Sequence, residues 1–210
     1  PTANFNSLTV YNTNATGITL ASPFRVATGL TFISGIVNTS NINLLSHGTT
    51  TAAGTLTMPG TIPANTFVNG PIQRTIASAN TNATYVLFPV GNGTTYAPAS
   101  IAPTTTSVVE MKVETFGANT GTPDATIINL SATRRWEAPI VSGTVTNLNV
   151  RLSDSGILNT SIPAVGSTAA GVYNGVFGTA TYTAAANGTP NALQSNSALA
   201  LVDYTGFLSY

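Results

Sequence analysis

Residues Phe67–Pro98 read FVNGPIQRTIASANTNATYVLFPVGNGTTYAP, and this stretch decides the fold. Val68-Asn69-Gly70-Pro71 and Val90-Gly91-Asn92-Gly93 carry turn chemistry: Gly and Asn supply positive φ, and Pro fixes φ. The apolar runs between these turns therefore read as strands. Within the stretch Arg74 is the one side chain ionised at neutral pH; there is no acid, His or Cys. Neither acid/base catalysis nor metal ligation finds its residues here. The stretch reads as an architectural joint between two halves of different pattern.

On its N-terminal side, alternating apolar pairs recur at Leu8/Val10, Ile18/Leu20, Phe24/Val26, Leu30/Phe32, Ile42/Leu44 and Leu56/Met58, separated by Asn, Thr, Gly or Ser. Two-residue alternation rich in β-branched residues predicts short strands, and no apolar stripe keeps the helical period. The intervening turns lack the strict two-residue hairpin signature, so stacked solenoid-like coils are expected in preference to hairpins. His47, the only imidazole, stands beside Gly48 and is expected as a loop or capping residue, because the partners a metal ligand needs are not near it in sequence.

On the C-terminal side, Ser107–Phe116 alternates Val109, Met111 and Val113 with Glu110, Lys112 and Glu114, predicting a strand with one apolar and one solvated face. Two carboxylates on one exposed strand could mimic a glycosidase pair, but the interposed Lys112 favours both staying ionised. Further strands are expected at Ala125–Leu130, Ala132–Glu137, Thr144–Leu152, Gly171–Tyr173, Gly178–Ala184, Leu199–Asp203 and Gly206–Tyr210, a number that suits a β-sandwich. Trp136, the sole Trp, is expected in the inter-sheet core, with a sugar-stacking platform as the alternative. Asp154-Ser155-Gly156 reads as a turn, with no companion carboxylates for a calcium loop.

The fold expected is thus all-β: a short solenoid-like part over residues 1–66, connecting strands and turns over 67–106, and an antiparallel β-sandwich over 107–210. Composition sharpens the functional expectation. Charged residues make up 6% of the 210, balanced at six basic and six acidic, against roughly 25% in ordinary soluble domains. A phosphate-tracking surface needs clustered Lys and Arg, and Arg134-Arg135 is the one adjacent pair, which argues against nucleic acid. No run approaches the roughly 18 apolar residues of a membrane span. Cys is absent, so redox compartment leaves no mark. Neutral surfaces built from Thr, Asn, Ser and Gly tolerate close self-association. Asn-x-Ser/Thr acceptors occur at Asn14, Asn38, Asn82, Asn92, Asn129, Asn159 and Asn187, many of them expected by chance in so Asn- and Thr-rich a chain.

Val68-Asn69-Gly70-Pro71-Ile72-Gln73-Arg74, then Tyr85-Val86-Leu87-Phe88-Pro89-Val90-Gly91 and Tyr96-Ala97-Pro98, resemble a pattern of large secreted surface proteins of Bacteroidota. Ala132-Thr133-Arg134-Arg135-Trp136-Glu137 is similar to a further, "R-x-W" strand of that pattern. The chain departs from it at Arg135, where Tyr is usual, and at Ala97, where Arg is usual. Such proteins are commonly type IX secretion cargo and include adhesin-like proteins. The resemblance implies an extracellular, non-catalytic structural or adhesive protein without cofactor or metal. Its structural anchors would be Gly70, Pro71, Arg74, Phe88, Pro89, Gly91, Arg135 and Trp136. The partners it implies are other copies of the chain or other surface proteins, with glycans as a further class. A carbohydrate- or ice-binding module is the alternative; an enzyme, such as a solenoid polysaccharide lyase, would need a groove of Arg, Lys and acids that this charge inventory hardly supplies.

Overall fold

The computed structural model describes residues 3–166, 172–200, 204 and 206–210. Among them every regular element is a strand. In chain order these are β1 (Ala3–Tyr11), β2 (Ile18–Thr19), β3 (Phe24–Asn38), β4 (Leu45–His47), β5 (Thr55–Thr57), β6 (Thr66–Asn69), β7 (Ile72–Ile76), β8 (Val86–Phe88), β9 (Val90–Asn92) and β10 (Thr95–Tyr96). They continue with β11 (Ala99–Thr105), β12 (Val109–Phe116), β13 (Thr122–Pro123), β14 (Arg135–Glu137), β15 (Ile140–Ser142) and β16 (Val145–Ser153). The last are β17 (Ala164–Gly166), β18 (Val172–Val176), β19 (Ala180–Thr183), β20 (Ala192–Ser195), β21 (Leu199–Ala200) and β22 (Phe207–Ser209).

The N-terminal strands pair in parallel. Ala3 lies against Phe24, Phe24 against Leu45 and Leu45 against Ile72, so β1, β3, β4 and β7 stack equivalent residues in columns. Farther along, Ile36 of β3 meets Phe67 of β6, and Val68 meets Val90 of β9. In-register parallel pairing puts like side chains on one side, which is why Val26, Leu30, Leu45 and Ile72 are buried together. The turns stack too. Asn69 Nδ2 donates to Asn38 Oδ1 at 2.9 Å, Asn38 Nδ2 donates to the Thr16 carbonyl at 2.8 Å, and Asn69 Oδ1 accepts from the Gly93 amide at 2.9 Å. This ladder commits the Asn38 side chain, one of the seven acceptor asparagines, to the fold.

Beyond β7 the direction changes. β12 pairs antiparallel with β7, from Val109 opposite Ile76 to Val113 opposite Ile72, and so closes that end of the parallel ladder. β12 continues to β14, which meets β22, and β22 meets β17. A second sheet is antiparallel: β11 runs beside β16 from Ala99 opposite Leu152 to Thr105 opposite Val145, and β16 passes to β20 and β20 to β19. Ladders cross both positions where the sequence suggested divisions: β3–β6 spans 66/67, and β7–β12 and β11–β16 span 106/107. One hydrophobic cluster likewise runs from Val10 through Leu45, Ile72, Phe88, Met111 and Trp136 to Leu208.

Several local expectations need correction. Ile42/Leu44 is not a strand: the chain bends there, Ile42 is 83% exposed, and β4 starts at Leu45, whose side chain continues the Phe24 column. Ala125–Leu130 forms turns instead of a strand, and Ile128 is exposed, because the Asp124 carboxylate accepts from the Thr126 amide and hydroxyl and fixes a local turn. The Ala132–Glu137 run is a strand only over β14. Gly171 of the expected Gly171–Tyr173 strand, and residues 201–203 of Leu199–Asp203, lie outside the described residues.

Candidate functional site

Two features stand out from the frame: the motif residues of the central stretch, gathered around buried Arg74, and the open edge at β1. Gly70 occupies φ +114°, and a Cβ there would sit 2.5 Å from the Thr39 carbonyl oxygen of the layer above. Pro71 follows in a buried position, and its carbonyl accepts from the Thr39 hydroxyl at 2.7 Å. Gly and Pro thus set the approach of two stacked turns. Gly91 has a different reason: a Cβ would lie 2.5 Å from the Phe67 ring, so the backbone is pressed onto an aromatic face. Phe88 and Pro89 are buried, and the Pro89 carbonyl accepts from the Val68 amide at 2.8 Å.

Arg74 projects inward from β7 and is 6% exposed. Its Nε donates to His47 Nδ1 at 3.2 Å, Nη1 to the Leu87 carbonyl at 2.5 Å, and Nη2 to the Gly54 carbonyl at 3.2 Å. One guanidinium therefore ties a neighbouring strand, a turn and the stretch before Phe88. Burial lowers the Arg74 pKa to about 10, so it remains charged at neutral pH. His47 is not the loop residue expected from its Gly neighbour. It lies in β4 at 1% exposure, because the parallel register puts it in the column between Val26 and Arg74. Burial first, and the Arg74 charge second, lower its pKa to about 4. The neutral ring accepts at Nδ1 and can donate from Nε2 to the Thr28 carbonyl at 3.4 Å.

The remaining anchors join the two parts of the molecule. Trp136 is fully buried, and its indole N–H donates to the Ala97 carbonyl at 2.8 Å, so the segment joining β10 to β11 and strand β14 meet in space. Arg135, on the alternate face, lies 3.7 Å from the Phe116 ring centre and 3.3 Å from Glu137. The expected solvated face of β12 is in fact largely covered. Glu110 is 9% exposed, paired with Arg25 at 2.9 Å and accepting from Ser142. Lys112 donates to Asn41, and Glu114 lies opposite Glu137. Burial, and then the Glu137 charge, raise the Glu114 pKa. Arg134 and Asp154 form a buried pair at 3.0 Å, and the Tyr210 hydroxyl donates to the same carboxylate at 2.8 Å, so Asp154 does more than shape a turn. Among the described residues no three His, Cys, Asp or Glu side chains converge as a metal site would require.

The β1 edge differs in kind. Among the described residues strand β1 pairs with β3 on one side only, and of its residues Leu8 is half-buried and Val10 buried, the rest exposed. Phe5 and Tyr11 are 47% and 69% exposed. No Asp, Glu, Lys or Arg precedes Arg25. Alternating exposure alone could not have separated this edge from an interior strand; the missing charge was the legible signal. Among the described residues, no helix is long and apolar enough to cross a membrane. No protein family matches this chain, and neither curated proteins nor solved structures provide a match.

Proposed function

We propose that the chain is a non-catalytic structural or adhesive part of a secreted surface protein, of the type IX cargo kind its central motifs resemble, acting by strand addition at β1. The observation that carries this reading is the contrast between the two ends of the parallel ladder. The β7 end is covered by antiparallel β12, whereas β1 offers a nine-residue edge with exposed Phe5 and Tyr11 and no charge. Native proteins ordinarily guard such edges with Lys, Pro or a covering segment, and an unguarded edge is a template for another strand. The equal sequence steps from Ala3 to Phe24 and from Phe24 to Leu45 support a solenoid-like reading of this part, and the β11–β16–β20 sheet supports a sandwich-like reading of the rest. The partner is another copy or another surface protein, outside the cell.

Electron microscopy and sedimentation of the purified chain test this. Ser7→Lys with Thr9→Lys places two like charges on exposed edge positions and should change folding stability by no more than about 0.5 kcal/mol. The parent should assemble with rising concentration and the double variant should stay monomeric. Equal assembly by both would refute edge addition.

A second reading has its own observation. Ser7-Leu8-Thr9, Gly29-Leu30-Thr31 and Thr55-Leu56-Thr57 lie in parallel register, with the leucines turned inward. The hydroxyls of Thr9, Thr31, Thr55 and Thr57 make no hydrogen bond among the described residues. Strands about 4.8 Å apart, with same-face residues about 6.7 Å apart, form a small flat hydroxyl lattice suited to ordered water or ice. Thermal hysteresis lost on Thr31→Lys would support that reading, and a parent without ice-shaping activity would dismiss it.

A further inference from the structure

Carboxylates are scarce in this chain, and the arginines that are buried or half-buried otherwise obtain one. Arg25 has Glu110 at 2.9 Å, Arg134 has Asp154 at 3.0 Å and Arg135 has Glu137 at 3.3 Å. Arg74, no less buried than Arg134, has none among the described residues. Its three acceptors, the His47 ring and the Leu87 and Gly54 carbonyls, are neutral. They take the Nε hydrogen and one hydrogen on each terminal nitrogen, so two of the five guanidinium N–H groups have no acceptor among the described residues. A buried charge normally has a counter-charge, and a guanidinium fork matches a carboxylate.

Arg74 borders a cleft of about 330 Å3 whose walls mix polar Thr75, Asn80 and Tyr85 with apolar Leu56, Ile76 and Val86, with Ala53 exposed at its lip, and no other charged side chain among the described residues lines it. The Tyr85 ring is held in place by Arg151, whose guanidinium carbon lies 4.7 Å from the ring centre. One cation calls for one negative charge; a phosphate dianion would be under-matched. A free amino acid would bring an ammonium group, and no acid among the described residues lines the cleft to receive it. An aromatic ring set among both polar and apolar neighbours suits the mixed faces of a sugar ring better than a wholly apolar acyl chain.

We propose that this cleft binds an acidic sugar, its carboxylate paired with Arg74 and its ring against Tyr85. The site lies apart from the β1 edge, so it stands or falls independently of strand addition. The test is titration of the full chain with galacturonate, followed by amide chemical shifts, with galactose and sulfate as controls. Saturable shifts around the cleft at about millimolar ligand are expected, with galactose at least about tenfold weaker. Ala53→Trp, which closes the exposed lip without touching Arg74, should weaken galacturonate binding at least about tenfold while leaving the unfolding midpoint in place. The proposal is overturned by an absence of saturable shifts, by equal binding of galactose, by sulfate competing as well as galacturonate, or by an Ala53→Trp variant that binds like the parent. Arg74→Lys, which keeps the charge but loses the fork, should also weaken binding.

Discussion

The parallel ladder of β1, β3, β4 and β7 and the antiparallel sheet of β8, β11, β16, β19 and β20 solve the same problem differently. In the ladder each strand repeats the column of its neighbour, and stacked turns, the Asn38–Asn69 pair and Arg74 hold it. In the antiparallel sheet the strands alternate direction and meet through cross-strand pairs, such as Ile101 with Val150. A repeat of like on like can always accept one more strand, so the ladder has an open edge at β1, whereas its other end needed a strand of opposite direction, β12, to stop it. Openness is thus a consequence of the repeat, and closure had to come from a different part of the chain.

Removing the joint between the two regions should do the most damage. Trp136→Ala deletes the largest buried side chain and its bond to Ala97, and should cost about 3–5 kcal/mol in urea unfolding. Because one core runs through both regions, the loss should appear as a single shifted transition; two separated transitions would show that the regions are energetically independent. A smaller effect should follow from Gly70→Ala, which strains the φ +114° backbone and meets the Thr39 carbonyl: about 1–3 kcal/mol, read by the same unfolding curve. A cost near zero would mean that the stacked turns can separate at no expense.

Smaller still is the effect of pH on the ladder. His47 has a folded pKa of about 4, below its ordinary 6.5, so the unfolded chain binds more protons between these values. Its contribution to stability is therefore complete above about pH 6.5 and is lost as pH falls towards 4. Glu114, its pKa raised mainly by burial, acts in the opposite direction, so the comparison is between the parent and His47→Gln. The parent should show the steeper fall in Tm across that window; identical slopes would mean that His47 does not titrate on unfolding.

The strand content was legible because it rests on local chemistry. Two-residue alternation marked β3 and β12, and turn chemistry such as Gly70-Pro71 bracketed the run that forms β7; β11, Ala99–Thr105, carries no alternation and was not marked. His47 and Glu110 were not legible. Nothing beside His47 in sequence announces Arg74, and nothing beside Glu110 announces Arg25; each became buried because a distant strand arrived in register. Ile128 failed for the reverse reason, since an apolar run without a partner strand remains exposed.

The sequence by itself determined that this is an all-β chain with little charge, since alternation, turn residues and composition act over a few residues. Only the tertiary structure decided which edge, among the described residues, stays open, which arginine there has no carboxylate and which imidazole is held neutral. Those properties belong to pairs of residues far apart in the chain, and strand register brings them together.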